Sequence, residues 1–269
     1  MAHVPPARAP GETPVLAWPP SMRAPSDSIA APPLPVLEWV NVAMLRMDQQ
    51  LGHPVLVEFF DVCRINSLRT LPYVKTWHAR YAEAGLRVIG LHAGAYPPSQ
   101  DPAIVREAVA RLGVEYAVGL DAELRAWRQF DVPGWPARYL FDPRLRLYEY
   151  HHGEGGYAET ERAIGELLGI EVEPVPPLRP EDAPDTLLVE PTREQPGAYS
   201  GPYGAGGVHA VVSGRGELRV DGEVIAVEHP GVATLVEHPV HTEAALELET
   251  GAGVEVHATQ FTPGLDHYG

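Results

Sequence analysis

Apolar and polar positions alternate in two distinct ways along this chain. From residue 55 to 168, short runs of Val, Ile, Leu and Phe are separated by longer stretches with helical spacing. The run VLVEFF (55–60) reads as a strand followed by a helix over 67–84, which Gly85 ends. LRVIGLH (86–92) reads as a second strand, and a Pro-rich loop leads to a helix over 102–112. Asp101 is placed to cap that helix and Pro102 to occupy its first turn. A short segment at 116–120, a helix over 122–130, and strands over 137–141 and 145–151 follow, with Asp142-Pro143-Arg144 as the turn between the strands. A helix over 157–168 closes the unit. Upstream, 37–51 reads as a short strand and then a helix, stopped by Gly52-His53-Pro54. Such βαβ alternation, ending in a hairpin and a helix, predicts a central mixed sheet flanked by helices.

After residue 205 the period shortens to that of strands. Segments 208–213, 217–220, 224–227, 232–237, 244–249 and 254–260 read as strands separated by Gly214-Arg215-Gly216, Asp221-Gly222 and Gly251-Ala252-Gly253. Their spacing predicts a second, all-β domain, a sandwich of jelly-roll or carbohydrate-binding-module-like type. Two Pro-rich stretches complete the division. Residues 1–36 hold ten prolines and read as an extended arm, with Trp18 and Leu34 to Val36 available to pin it. Residues 171–205 hold eight and read as an acidic linker or wrapped segment. The expected organisation is therefore an arm (1–36), an α/β domain (37–170), a linker (171–205) and a β domain (206–269).

Charge sharpens this division. The net charge is −16. Residues 1–170 carry 19 acidic and 16 basic side chains, whereas 171–269 carry 17 acidic and four basic ones. So acidic a surface repels phosphate backbones and anionic lipid, which argues against nucleic-acid and membrane partners. No apolar run approaches the roughly 20 residues of a membrane span. The one cysteine among 269 residues allows no internal disulfide. With no basic-then-apolar leader at the start, it gives the expectation of a cytoplasmic protein.

Several residues then suggest chemistry. VEFFDVCRINSLRTLPY (57–73), followed by Trp77, Tyr81 and GLRVIGLH (85–92), is similar to the redoxin or TlpA-type thioredoxin-like pattern. That pattern reads VDFW-x-x-SCINC-x-RTLPY, then W-x-x-x-Y and GLVVIGVH. WPARYLFD (135–142) and HHGEGGY (151–157) extend the match. The chain most resembles the soluble thioredoxin-like part of DipZ-type proteins, in which a β-rich domain follows. The resemblance implies a thioredoxin-like fold for 37–168 and places Arg64 and Ser67 at the two cysteine positions, with Ile65 and Asn66 between them. It also implies a cis bond before Pro136 and a substrate groove beside Trp135. The family's acidic residue after the GVH strand is missing, because His92 leads into Ala93-Gly94-Ala95-Tyr96.

These matches set the candidate sites. Arg64, Ser67 and the backbone N–H groups at a helix start suit a small anion. Cys63, one place before the expected nucleophile, is a candidate peroxidatic or mixed-disulfide thiol, although Phe60 stands where peroxidatic relatives carry Thr or Ser. His238 and His241 are weak metal candidates. Neither a phosphate-binding Gly loop nor a cofactor motif is present, since GAGG (204–207) precedes a strand. A sugar platform would have to draw on Tyr199, Tyr203, Phe261 or Tyr268. The expected role is a non-redox binding or scaffold protein whose groove takes a peptide, a protein segment or a small anion. The acidic β domain would serve association, including homodimerisation. The alternative is a single-cysteine redoxin acting through Cys63.

Overall fold

The computed structural model describes residues 15–16, 21–26 and 28–266. Trp18 and Tyr268 lie outside them. Two short strands come first, β1 (Val15–Leu16) and β2 (Met22–Arg23), then β3 (Glu38–Val40). The α/β body continues through β4 (Val55–Phe60), α1 (Ile65–Tyr81), β5 (Arg87–His92), α2 (Pro97–Gln100) and α3 (Pro102–Arg111). It ends with β6 (Ala117–Leu120), α4 (Arg125–Gln129), β7 (Ala137–Phe141), β8 (Leu147–His152) and α5 (Tyr157–Leu168). Its seven-stranded mixed sheet has the order β2-β8-β7-β4-β5-β6-β3, with β4, β5 and β6 parallel and the remaining pairs antiparallel.

Strand periodicity explains the two layers. In β4, Leu56 and Phe60 face a core shared with Leu71, Val74 and Trp77 of α1, Val105 and Val109 of α3 and Ile164 of α5. Val55, Val57 and Phe59 point the other way, onto Phe130 and Ala126. Asp101 caps α3 as its position implies, its Oδ1 accepting from Ala103 N at 2.8 Å.

Three details differ from the sequence expectation. The helix expected within 37–51 shrinks to a 3₁₀ turn at Met47–Gln50. Asn41 at φ 70° breaks the backbone, and Gly52 and Pro54 leave no room to extend. β8 starts at Leu147 because Asp142 Oδ1 accepts from both Arg144 N and Arg146 N, and Leu145 takes φ 58°. The arm is also partly sheet: β2 pairs with β8, and Arg23 Nη2 donates to both Glu166 oxygens at 2.9 and 3.0 Å.

The β half comprises β9 (Leu188–Val189), β10 (Gln195–Pro196), β11 (Gly201–Gly214), β12 (Gly216–Val220) and β13 (Glu223–Val227). β14 (Gly231–Leu246), β15 (Leu248–Thr250), β16 (Val254–Thr262) and β17 (Gly264–Leu265) complete it. Sheets of order β10-β16-β11-β14 and β13-β12-β15 enclose a core of Val208, Ala210, Val212, Leu218, Val220, Leu246 and Phe261. Asp221 (φ 51°) and Gly222 (φ 87°) make the tight β12–β13 turn.

Two expected strands here are one. His238-Pro239 suggests a turn, yet β14 runs through it. Pro239 lies where the β11 pairing is interrupted, between Glu237 and Thr242, on the edge strand of its sheet, so its missing N–H costs no ladder bond. β11 likewise begins at Gly201, inside the stretch expected to link the domains, and takes in GAGG. Residues 171–190 run across α1 and α5. Arg80 Nη1 donates to Glu173 O, Val175 N to Glu161 Oε2, and Leu178 N to Tyr73 Oη. Val211 and Ala258 of the β half belong to the α/β core cluster, with β16 packed against α1 and β11 against α2.

Candidate functional site

The turn between β4 and α1 is organised by Asp61, which is fully buried. Its Oδ1 accepts from Cys63 N at 2.8 Å, and its Oδ2 accepts from Ala95 N at 2.8 Å and Ser99 Oγ at 3.2 Å. His92 Nε2 accepts from Val62 N at 3.2 Å. Burial pushes the His92 pKa down, with Asp61 opposing, so the ring serves as a neutral acceptor. Ser67 is fully buried, and its Oγ accepts from Asp61 N at 3.2 Å. One polar network thus fixes the turn that the sequence singles out.

Cys63 lies inside this network with no exposed surface. Burial and the neighbouring Asp61 carboxylate push its thiol well above the usual range. Arg64 leaves the turn toward the β half. Its guanidinium lies 4.6 Å from the Trp135 ring centroid and 5.2 Å from that of Tyr96, and its Nη1 is 3.4 Å from Glu194 Oε2. Asn66 Nδ2 donates to Trp135 O at 2.7 Å, and Trp135 Nε1 donates to Ala93 O at 2.8 Å. The Trp135–Pro136 peptide is cis. The structure therefore gathers Cys63, Arg64, Ile65, Asn66, Ser67, Trp135 and Pro136 around the start of α1.

It does not gather the histidines. His238 Nε2 pairs with Tyr203 Oη at 2.9 Å, and His241 Nε2 with Glu243 Oε1 at 3.2 Å. Among the described residues, no group of three His, Cys, Asp or Glu side chains is placed to hold a metal. Tyr203 and Phe261 are buried in the β core, which removes both from any exposed sugar platform.

Sequence reading missed the residues that the β half contributes to this turn. Gln260 of β16, only 4% exposed, inserts its carboxamide at the start of α1. Beside it, a cavity of about 310 Å³ is lined by Arg64, Ile65, Asn66, Glu190, Glu194 and Thr262, among others. Deeper, Arg69 Nε donates to Glu154 Oε2 at 2.7 Å, while Arg179 Nη1 donates to Arg69 O and its Nη2 to Asp182 Oδ1. Glu58 was also passed over. Its carboxyl is buried opposite Arg138, accepts from Tyr116 Oη at 3.0 Å, and is pushed up by burial to a pKa of about 7. One signal for it existed, since it is the lone charge in an apolar strand.

No family model matches the chain. Protein DipZ of Mycobacterium tuberculosis (strain CDC 1551 / Oshkosh) is 35% identical over 117 residues, 44% of this chain and 17% of DipZ. Thiol-disulfide oxidoreductase YkuV of Bacillus subtilis (strain 168) is 23% identical over 131 residues, 48% of this chain and 87% of YkuV. The chain thus spans about a sixth of DipZ's length. A crystallised thioredoxin-like superfamily protein superposes with TM-score 0.50 at 22% identity, covering 54% of this chain and all of its own. Among the described residues, no helix is long and apolar enough to cross a membrane. The α/β half of this chain has the thioredoxin-like fold of the thiol–disulfide oxidoreductases and is homologous to DipZ and YkuV, and a mostly β-stranded half follows it.

Proposed function

We propose that this is a thioredoxin-like binding or scaffold protein that exchanges no disulfides through a thiol pair of its own. On this reading Arg64 and Ser67 stand where redox-active relatives carry their two cysteines, and the remodelled turn holds a segment of chain. One observation carries it: the only thiol of the chain, Cys63, is wholly buried at the α1 start beside Asp61. A guanidinium gains nothing from the positive end of a helix, and Arg64 is engaged instead by Glu194 and two aromatic rings. That pairing, with Glu190 and Glu194 lining the same cavity, argues against the small anion and for a polypeptide occupant. The reading includes a cytoplasmic setting, supported by the single cysteine.

The test is chemical. Full-length protein is expected to leave insulin disulfides intact in the presence of dithiothreitol beyond the reagent blank. Cys63 is expected to react with a chromogenic disulfide only after denaturant unfolds the chain. Turnover of insulin, or rapid peroxide consumption lost in Cys63→Ser, would replace this reading with the single-cysteine redoxin.

A further inference from the structure

The start of α1 is already filled, and the chemistry of the filling is specific. Gln260 Oε1 accepts from Ile65 N at 2.9 Å. Its Nε2 faces Cys63 O at 3.2 Å, Tyr96 Oη at 3.0 Å and Glu194 Oε2 at 3.2 Å. One side of the place offers a backbone N–H and the other offers oxygens, so the amide orientation is fixed by its neighbours. A carboxylate there would turn its second oxygen toward three others. An apolar side chain would leave the Ile65 N–H buried without a partner. Docking of the two halves as such needs no glutamine, because Val211 and Ala258 pack directly into the α/β core. The adjoining cavity, walled by Ile65, Phe261 and Pro263 and rimmed by Glu190 and Glu194, gives the place an approach from outside.

We propose that the start of α1 is a receptor for a primary carboxamide, occupied in cis by Gln260 of the β half. This rests on the preceding reading that the turn binds and does not exchange disulfides. A glutaminyl side chain of a second polypeptide fits the same donors and acceptors once Gln260 is withdrawn, whereas a glutamyl side chain does not. The chain's own second half therefore competes with any outside partner at this turn.

The experiment uses full-length protein and reads Ile65 amide exchange and Cys63 labelling together. Gln260→Ala is expected to raise both rates at least 10-fold while amides of the central sheet stay protected. Adding N-acetyl-L-glutamine methylamide at tens of millimolar is expected to restore protection; the corresponding glutamate derivative is expected to have no effect. If Gln260→Ala does not fold, Gln260→Glu serves. Its protonated carboxyl offers both a donor and an acceptor, so Ile65 is expected to stay protected at pH 4 and to lose protection at pH 8. Unchanged Ile65 and Cys63 rates in Gln260→Ala, equal protection by both derivatives, protection by neither, or a pH-independent Gln260→Glu would each overturn the proposal. Insulin reduction by the unaltered protein would instead sink the preceding reading without altering these exchange measurements.

Discussion

Glu58 sits on the α1-facing side of β4 between Leu56 and Phe60, both fully buried, and its Oε1 has no hydrogen-bond partner among the described residues. Desolvation holds its proton in the folded state to a pKa of about 7, against 4.5 for an ordinary glutamate. Between those values the folded chain binds more protons than the unfolded one. The Glu58 contribution to stability is thus greatest below about pH 4.5, falls as pH rises toward 7, and is flat above it. The whole span amounts to about 3 kcal/mol. Glu58→Gln has no proton to lose, so the stability difference between variant and parent is expected to shift in the variant's favour by that order from pH 4.5 to 8. Urea unfolding across this range measures it, and a pH-independent difference would exclude Glu58 as the titrating group. The depressed pKa values of His92 and His209 act in the opposite sense but are common to both proteins and cancel.

At the scale of elements, the β half depends on close backbone approach. A Cβ on Gly206 would lie 2.5 Å from Pro263 O and 2.6 Å from Gly264 Cα, where β11 passes beneath the β16–β17 connection. Neither neighbour is a flexible side-chain end. Gly206→Ala is expected to cost about 1–3 kcal/mol through overpacking, read as a lowered denaturant midpoint at unchanged slope. GAGG (204–207) has the composition of a loop, and composition carries no information about which backbone lies 2.5 Å away. The alternation that marked 208–213 and 232–237 as strands was legible, because one face of each meets an apolar core. Their extension to Gly201 and Leu246 was not, because it is held by pairing between residues distant in sequence.

For the molecule as a whole, the two halves share apolar core and polar contacts. Val211 and Ala258 lie in the cluster that contains Cys63, Leu71 and Trp77, and Arg179 ties the segment after α5 to α1 and Asp182. A β half tethered only by a linker would melt separately. With a shared core, calorimetry is expected to show one transition whose calorimetric and van't Hoff enthalpies agree. Two resolved transitions would mean that the interface contributes little to either half. Of the 17 acidic residues in 171–269, six (Glu217, Glu223, Glu237, Glu243, Glu249 and Glu255) lie at exposed strand positions, while Glu194 pairs with Arg64.

Amino-acid order carried the α/β body and the position of the turn before α1, because both are written locally. Strand and helix periods, the Asp101 cap, and RTLPY and WPARYL at their spacing each depend on residues close together in the chain. Order also settled that no thiol pair exists, since that is a matter of counting. What fills the turn was beyond its reach. Gln260 lies 195 positions from Ile65, at the end of a segment that reads only as a strand, and Glu194 sits in a stretch that reads as linker. Their meeting with Arg64 and Tyr96 follows from β16 packing against α1 and β11 against α2, where burial makes each hydrogen bond specific and each missing partner costly. Long-range packing, and no local signal, fills the turn before α1.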